Sequence, residues 1–246
     1  IVEDNHDLRK VLSQNFSKSF NVLESGDGQA GFQIAHEQDP DIIISDIMMP
    51  GMDGYALCEK IKSDPETSHI PVILLTAKSS NEHRIKGLES GADAYIPKPL
   101  DIKHLRARIK NLLETRQELK RKFSGQLRIE PSEIAATPMD QKILGKAIEI
   151  VEENMHNEDF DVAQFGTLMG MSGTSLRRKI KAITGQSPLA FIQKIRIKKA
   201  ATLLTEGNLT VSEVSYEVGI YNLSHFSKIF RRELGTTPSN FKERGC

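Results

Sequence analysis

Short apolar runs recur through the first hundred residues, and stretches of helical period separate them. The runs are Ile1–Val2, Asn21–Glu24, Ile42–Asp46, Val72–Thr76 and Ala94–Ile96. Between them, Leu8–Phe20, Gln29–Glu37, Tyr55–Lys62, Asn81–Ser90 and a stretch from Ile102 onward place apolar residues on one face. Strands alternating with helices predict a five-stranded, doubly wound parallel sheet with both faces covered. Sites in such sheets form beyond the carboxyl ends of the strands. Glu3-Asp4, Asp46, Thr76 and Pro97-Lys98 all follow strand ends, so polar groups are expected to gather on one rim.

The chain has 246 residues, enough for two ordinary domains. No apolar run approaches the roughly 18 residues of a membrane helix, so this segment is expected to make no membrane contact, and no secretory signal is visible. Its two cysteines, Cys58 and Cys246, have no metal spacing and suit a reducing compartment. We therefore expect a cytoplasmic location, free or tethered to the inner membrane through upstream sequence, because the chain starts at Ile1 inside a strand-like stretch. The net charge of zero hides an asymmetry. Residues 1–100 hold 9 Lys/Arg against 16 Asp/Glu, and residues 162–246 hold 13 against 5. A basic second half points to a polyanionic partner.

The stretch "DIIISDIMMPGMDG" (41–54) puts a carboxylate at the tip of a buried strand and then breaks the chain at Pro50-Gly51. Glu3, Asp4 and Asp46 are three carboxylates with Lys98 as their evident counter-charge. Like charges crowd unfavourably unless a cation bridges them, and hard oxygen ligands suit Mg²⁺. Mg²⁺ and a lysine can neutralise a phosphoryl group in transit. A carboxylate can then act as the nucleophile and form an acyl phosphate. Asp46 is the best-placed nucleophile, and the reversal at Pro50-Gly51 lets a carbonyl near Met48 face the metal.

Residues 1–115 resemble the receiver domain of bacterial two-component response regulators. "VEDN" (2–5), "ISDIMMPGMDG" (44–54), "VILLTAK" (72–78) and "GADAYIPKPL" (91–100) carry the likeness. It implies a flavodoxin-like fold with Asp46 as phospho-acceptor. Asp4, Asp46 and the Met48 carbonyl would ligate Mg²⁺, with Glu3 acting mostly through water. Lys98 would grip a phosphoryl oxygen, ahead of a Lys98–Pro99 bond that is cis in the family. Thr76 and Tyr95 match the family's switch pair. The family's acidic pair is often Asp-Asp, so Glu3 departs from it.

The helix from Ile102 is read as packing on the sheet to Leu113, followed by a solvated tail; a short dimer-forming coil is the sharper alternative. Residues 119–137 read as a linker between a receiver over 1–118 and a second domain over 138–246. Thr137-Pro138 then opens a helix, with Thr137 as N-cap. The back half contains a two-copy repeat, 162–191 and 211–241. Gly170 matches Gly219, Leu176 matches Phe226, Arg178 matches Lys228 and Pro188 matches Pro238. Each copy is a helix, a glycine turn and a basic amphipathic helix, the sequence form of a helix-turn-helix. Arg177, Arg178, Lys179 and Lys181 are expected to project from the first recognition helix. Ser224, His225, Ser227, Lys228 and Arg231 are expected to project from the second. Between them, Pro188–Leu204 forms a strut of roughly 25 Å.

Residues from about 137 onward resemble the AraC-type DNA-binding domain, most specifically over 211–242. By that resemblance Thr174, Arg177 and Arg178, then Ser224, His225 and Lys228, match DNA-contacting positions. Leu223 stands where a polar residue often reads a base. The whole resembles the tail of a hybrid sensor kinase. Its implied partners are DNA, a histidine kinase, a second copy paired on phosphorylation, and RNA polymerase. The expected function is phosphorylation-dependent transcription regulation. The segment's own chemistry would be only autophosphorylation and self-dephosphorylation, leaving open whether the full-length protein is an enzyme. The alternatives are a stand-alone regulator, a phosphatase or phosphotransfer enzyme using Asp46, and a receiver fused to a protein-docking module. Met48 argues against the phosphatase, since dehalogenase-type enzymes carry an Asp at that position.

Overall fold

The computed structural model describes residues 1–76, 90–125, 130–157 and 159–245. The helix expected over Asn81–Ser90 lies, but for Ser90, outside them. Two compact units divide the chain, Ile1–Glu118 and Leu119–Cys246.

In the first unit, helix α1 (His6–Phe16) opens on an Asn5 cap whose side chain accepts from the Leu8 N–H at 3.0 Å. Asp27 caps α2 (Gly28–Gln38) and Asp53 caps α3 (Gly54–Ser63) in the same way. Three parallel strands follow the order β1 (Ile43–Asp46), β2 (Val72–Thr76), β3 (Ala94–Pro97). The two-residue period of these strands splits the core. Ile43, Val72 and Leu74 pack on one face with Leu57, Cys58 and Ile61 of α3. Ile44, Ile73 and Leu75 pack on the other with Leu12, Phe16, Leu105 and Ile109. Both faces are thus covered, as a doubly wound sheet requires.

The sheet has three strands among the described residues, not the expected five. Val2 instead makes single parallel bridges to Ser25 and Ser45. The hydrogen bonds are those of a ladder: Val2 N–H to Ile44 O at 2.8 Å, Asp46 N–H to Val2 O at 2.9 Å, Glu3 N–H to Ser25 O at 3.1 Å. The single bridge still carries Glu3-Asp4 to the carboxyl end of β1.

The second unit is helical. Helix α4 (Ile102–Gly125) begins in the first unit and supplies its last two turns, from Leu119, to the second. Then come α5 (Pro131–Ile134), α6 (Pro138–Glu153), α7 (Val162–Met169), α8 (Gly173–Thr184), α9 (Pro188–Glu206), α10 (Val211–Glu217), α11 (Leu223–Leu234) and α12 (Pro238–Gly245). Thr137 caps α6 by accepting from the Asp140 N–H, with Pro138 at the first position. The tail of α4 is not simply solvated. Phe123, with Ile134 and Ala135 from the stretch expected as linker, is buried in the helical core. Phe123 stacks on Phe191, which stacks on Phe165, with centroids 5.7 and 5.9 Å apart. Beyond the break at Arg116, Phe123 serves this second core.

Two lysines of α9 lie in this core. Lys198 is buried, and its Nζ is 3.5 Å from the Phe123 carbonyl. Burial first, then the neighbouring Lys194 charge, pushes its ammonium down to about 7 from an ordinary 10.5, against the pull of Glu233. The unfolded chain therefore holds more protons between those two values, and this group's contribution to stability rises with pH across that window. At and below pH 7 the burial penalty is full. Lys198→Met is expected to melt at a higher temperature than the wild type at pH 7, with the gain shrinking towards pH 10. Melting curves at several pH values check this; a gain that stays flat with pH, or a loss at pH 7, refutes it.

Candidate functional site

Parallel pairing sets β1, β2 and β3 in register, Asp46 beside Leu75 and Thr76 beside Pro97. Their carboxyl ends therefore share one edge. Glu3, Asp4 and Asp46 meet there, each offering one carboxylate oxygen within 4.8 Å of the others. Lys98 arrives from the end of β3, its N–H bonded to the Thr76 carbonyl at 2.7 Å. Its ammonium lies 3.1 Å from Glu3 Oε2 and 3.0 Å from Asp46 Oδ1. The following Lys98–Pro99 peptide is cis.

Glu3 and Asp46 are buried and Asp4 is exposed. Burial raises the Glu3 carboxyl above its ordinary range, the Lys98 hydrogen bond opposes this, and the Asp46 charge adds to the rise. Burial alone would lower the Lys98 ammonium, but its hydrogen bonds to Asp46 and Glu3 and their charges hold it above its usual value. The Asp46 side chain also accepts from the Ile47 N–H at 2.9 Å. Three carboxylates against one ammonium leave a net negative, all-oxygen donor set, and that composition fits a hard divalent cation.

Tyr95 is half-buried, with its hydroxyl 3.1 Å from Ser90 Oγ. Thr76 ends β2 at the same rim. The Met48 side chain is exposed, in the loop that turns through Gly51 at φ 76°. The sequence reading missed Arg9. From α1 it donates to the carbonyls of Glu3 and Asp4 and sits 3.7 Å from Glu24, holding the main chain of the acidic pair. Nothing in the local pattern marks it, since the contact depends on how α1 packs.

The second unit holds two matched turns. Gly170 ends α7 at φ 71° and Gly219 follows α10 at φ 67°. The Met171 N–H bonds to Gly166 O at 2.9 Å, and the Ile220 N–H bonds to Ser215 O at 3.0 Å, the same bond in each copy. Ser172 and Asn222 then cap α8 and α11. Thr174, Arg177, Ser224, His225 and Lys228 are exposed, and Arg178 is half-exposed. Leu223 stands exposed at the head of α11.

Lys179 does not project. It is 1% exposed, its Nζ 2.7 Å from Asp140 Oδ1 in the first turn of α6. The repeat carries the signal that could have revealed this, because the second copy has buried Ile229 at the matching position. Among the described residues no helix is long and apolar enough to cross a membrane.

Residues 1–110 match the model of the response regulator receiver domain, and residues 166–244 match that of a helix-turn-helix domain. Histidine kinase P4 of Formosa agariphila is 47% identical over 244 residues, covering 99% of this chain and 18% of that protein. Response regulator PleD of Caulobacter vibrioides is 36% identical over 162 residues, 65% of this chain and 35% of that protein. The chain therefore spans well under half the length of either relative. The solved signal receiver domain of a signal transduction histidine kinase from Syntrophus aciditrophicus is 36% identical, covers 46% of this chain and 87% of that one, and has a TM-score of 0.45. By these two model matches the chain carries a response regulator receiver domain followed by an AraC-type helix-turn-helix domain.

Proposed function

We propose that Asp46 accepts a phosphoryl group from a histidine kinase and that this event governs sequence-specific DNA binding by the two helix-turn-helix units. The convergence of Glu3, Asp4, Asp46 and Lys98 on one rim supports the reading most strongly. An Asp46 oxygen attacks phosphorus as the bond from phosphorus to the donor imidazole nitrogen breaks, and the nitrogen keeps the electron pair. Lys98 binds a phosphoryl oxygen and offsets its charge. Asp4, Asp46 and the Met48 carbonyl would hold Mg²⁺, with Glu3 acting through water; when bound, the ion supplies further neutralisation of the phosphoryl oxygens. The Thr76 hydroxyl then bonds the phosphoryl group and Tyr95 turns inward.

On the DNA side, Thr174, Arg177 and Arg178 and then Ser224, His225 and Lys228 meet bases and phosphates. Phosphorylation pairs two copies on adjacent half-sites, where RNA polymerase is engaged. The similarity to a protein named a histidine kinase, of which this chain spans 18%, favours a segment of a hybrid sensor kinase over a stand-alone regulator. We take residues 1–118 as the receiver and 138–246 as the core of the DNA-binding domain.

Incubation with acetyl phosphate and Mg²⁺ should add one phosphoryl mass to the wild type and none to Asp46→Asn. Affinity for a selected duplex should rise on phosphorylation in the wild type alone. Uptake by Asp46→Asn, or DNA binding indifferent to phosphorylation, would sink the proposal.

A further inference from the structure

The last turn of α4 lies outside both matched domains, yet it is built into the helical unit. A carbonyl near the end of a described helix can take a partner from outside that helix. Lys194 of α9 supplies one, its Nζ 2.8 Å from the Ser124 carbonyl. A cation at a helix carboxyl end is favoured by the backbone dipoles as well. The same ammonium, on a residue 4% exposed, lies 3.3 Å from Glu233 Oε2. Glu233 is the penultimate residue of α11, the second recognition helix. One buried ammonium therefore joins the end of α4 to the end of α11.

The two copies of the repeat differ at this point. Fifty positions before Glu233 stands Ile183, buried in the core of the first recognition helix. The end of the first helix is held by apolar packing. The end of the second adds to the packing of Leu234 a charge, Glu233, paired with the ammonium that also donates to the Ser124 carbonyl. Directional bonds fix an angle and a distance, whereas apolar contacts fix mainly proximity.

We infer that Lys194 is a positioning residue for the second recognition helix, and that the two helical turns 119–125 are a working part of the DNA-binding unit. It sets how α11 is presented to the duplex and leaves α8 untouched. The inference rests on the DNA-binding reading and narrows it to one half-site.

The test uses the full chain and a duplex selected by the wild type in vitro. The half-site of α11 is the one whose protection weakens in Lys228→Ala. Lys194→Met keeps the aliphatic stem and removes the charge, while Glu233 retains Arg232, 2.9 Å away. Footprinting should show protection of the α11 half-site weakened about tenfold, a difference of about 1.4 kcal/mol. The other half-site should be unchanged, and Lys194→Arg should restore the first. If Lys194→Met does not fold, Glu233→Gln should give the same one-sided loss with the Ser124 bond intact. Equal weakening of both half-sites, or no weakening of either, overturns the inference while leaving DNA binding in place. A wild-type chain that selects no duplex overturns the DNA reading itself, and this inference with it.

Discussion

Lys179→Ile is expected to cost the helical unit about 3–5 kcal/mol, because removing one partner of a buried ion pair strands the other charge. Lys179 and Asp140 are 1% exposed each, with 2.7 Å between nitrogen and oxygen. The replacement is the residue that the second copy of the repeat carries at this position, Ile229, 3% exposed. Shape is therefore not the obstacle; the loss of the ammonium charge beside the buried Asp140 carboxylate is. Adding Asp140→Leu should recover most of the loss, since a buried pair replaced by apolar residues of similar volume is often close to neutral. Denaturant melts of the two single variants and the double one measure the coupling. A single Lys179→Ile that costs under about 1 kcal/mol would place the pair among solvated surface bridges.

Gly54→Ala should damage fold and site together. A Cβ at Gly54 would fall 2.2 Å from the Asp46 carbonyl oxygen and 2.8 Å from Ile47 Cα. Both are backbone atoms, so no side chain can swing aside. The Gly54 N–H also bonds to Ile47 O at 3.0 Å, tying the start of α3 to the segment just past β1. Relief requires the end of β1 to move, and Asp46 is that end. Overpacking of this kind costs about 1–3 kcal/mol, occasionally more. The denaturation midpoint of the receiver should fall, and the rate of phosphoryl uptake from acetyl phosphate should fall with it. A variant that takes up phosphoryl groups at the wild-type rate with an unchanged midpoint would show that the close approach is not needed.

The rim residues were legible because each ends an apolar run or follows it within two residues, and parallel pairing brings all such ends to one edge. Arg9 was not, since its reach to the Glu3 and Asp4 carbonyls depends on how α1 lies against the chain start. The two turns of the helical unit were legible from their glycines, and Gly170 and Gly219 do take positive φ. Lys179 was misread as projecting because lysine is rarely buried, and that expectation fails where a carboxylate waits inside. The solvated-tail reading of α4 failed for a related reason. The ring that Phe123 stacks on, Phe191, and the Phe165 ring beyond it come from far along the chain.

The sequence by itself determined the alternation that makes the sheet parallel, the carboxylates and lysine at its carboxyl edge, and the duplicated helix pairs. These are local, because period, caps and turn residues act over a few positions. Only the tertiary structure decided that Val2 bridges rather than forms a strand, that Lys179 faces Asp140, and that the end of α4 belongs to the helical core. Each depends on what a side chain or backbone group meets across tens of residues. A periodic pattern records which face is buried, but not the charge, ring or carbonyl that will be found on the other side.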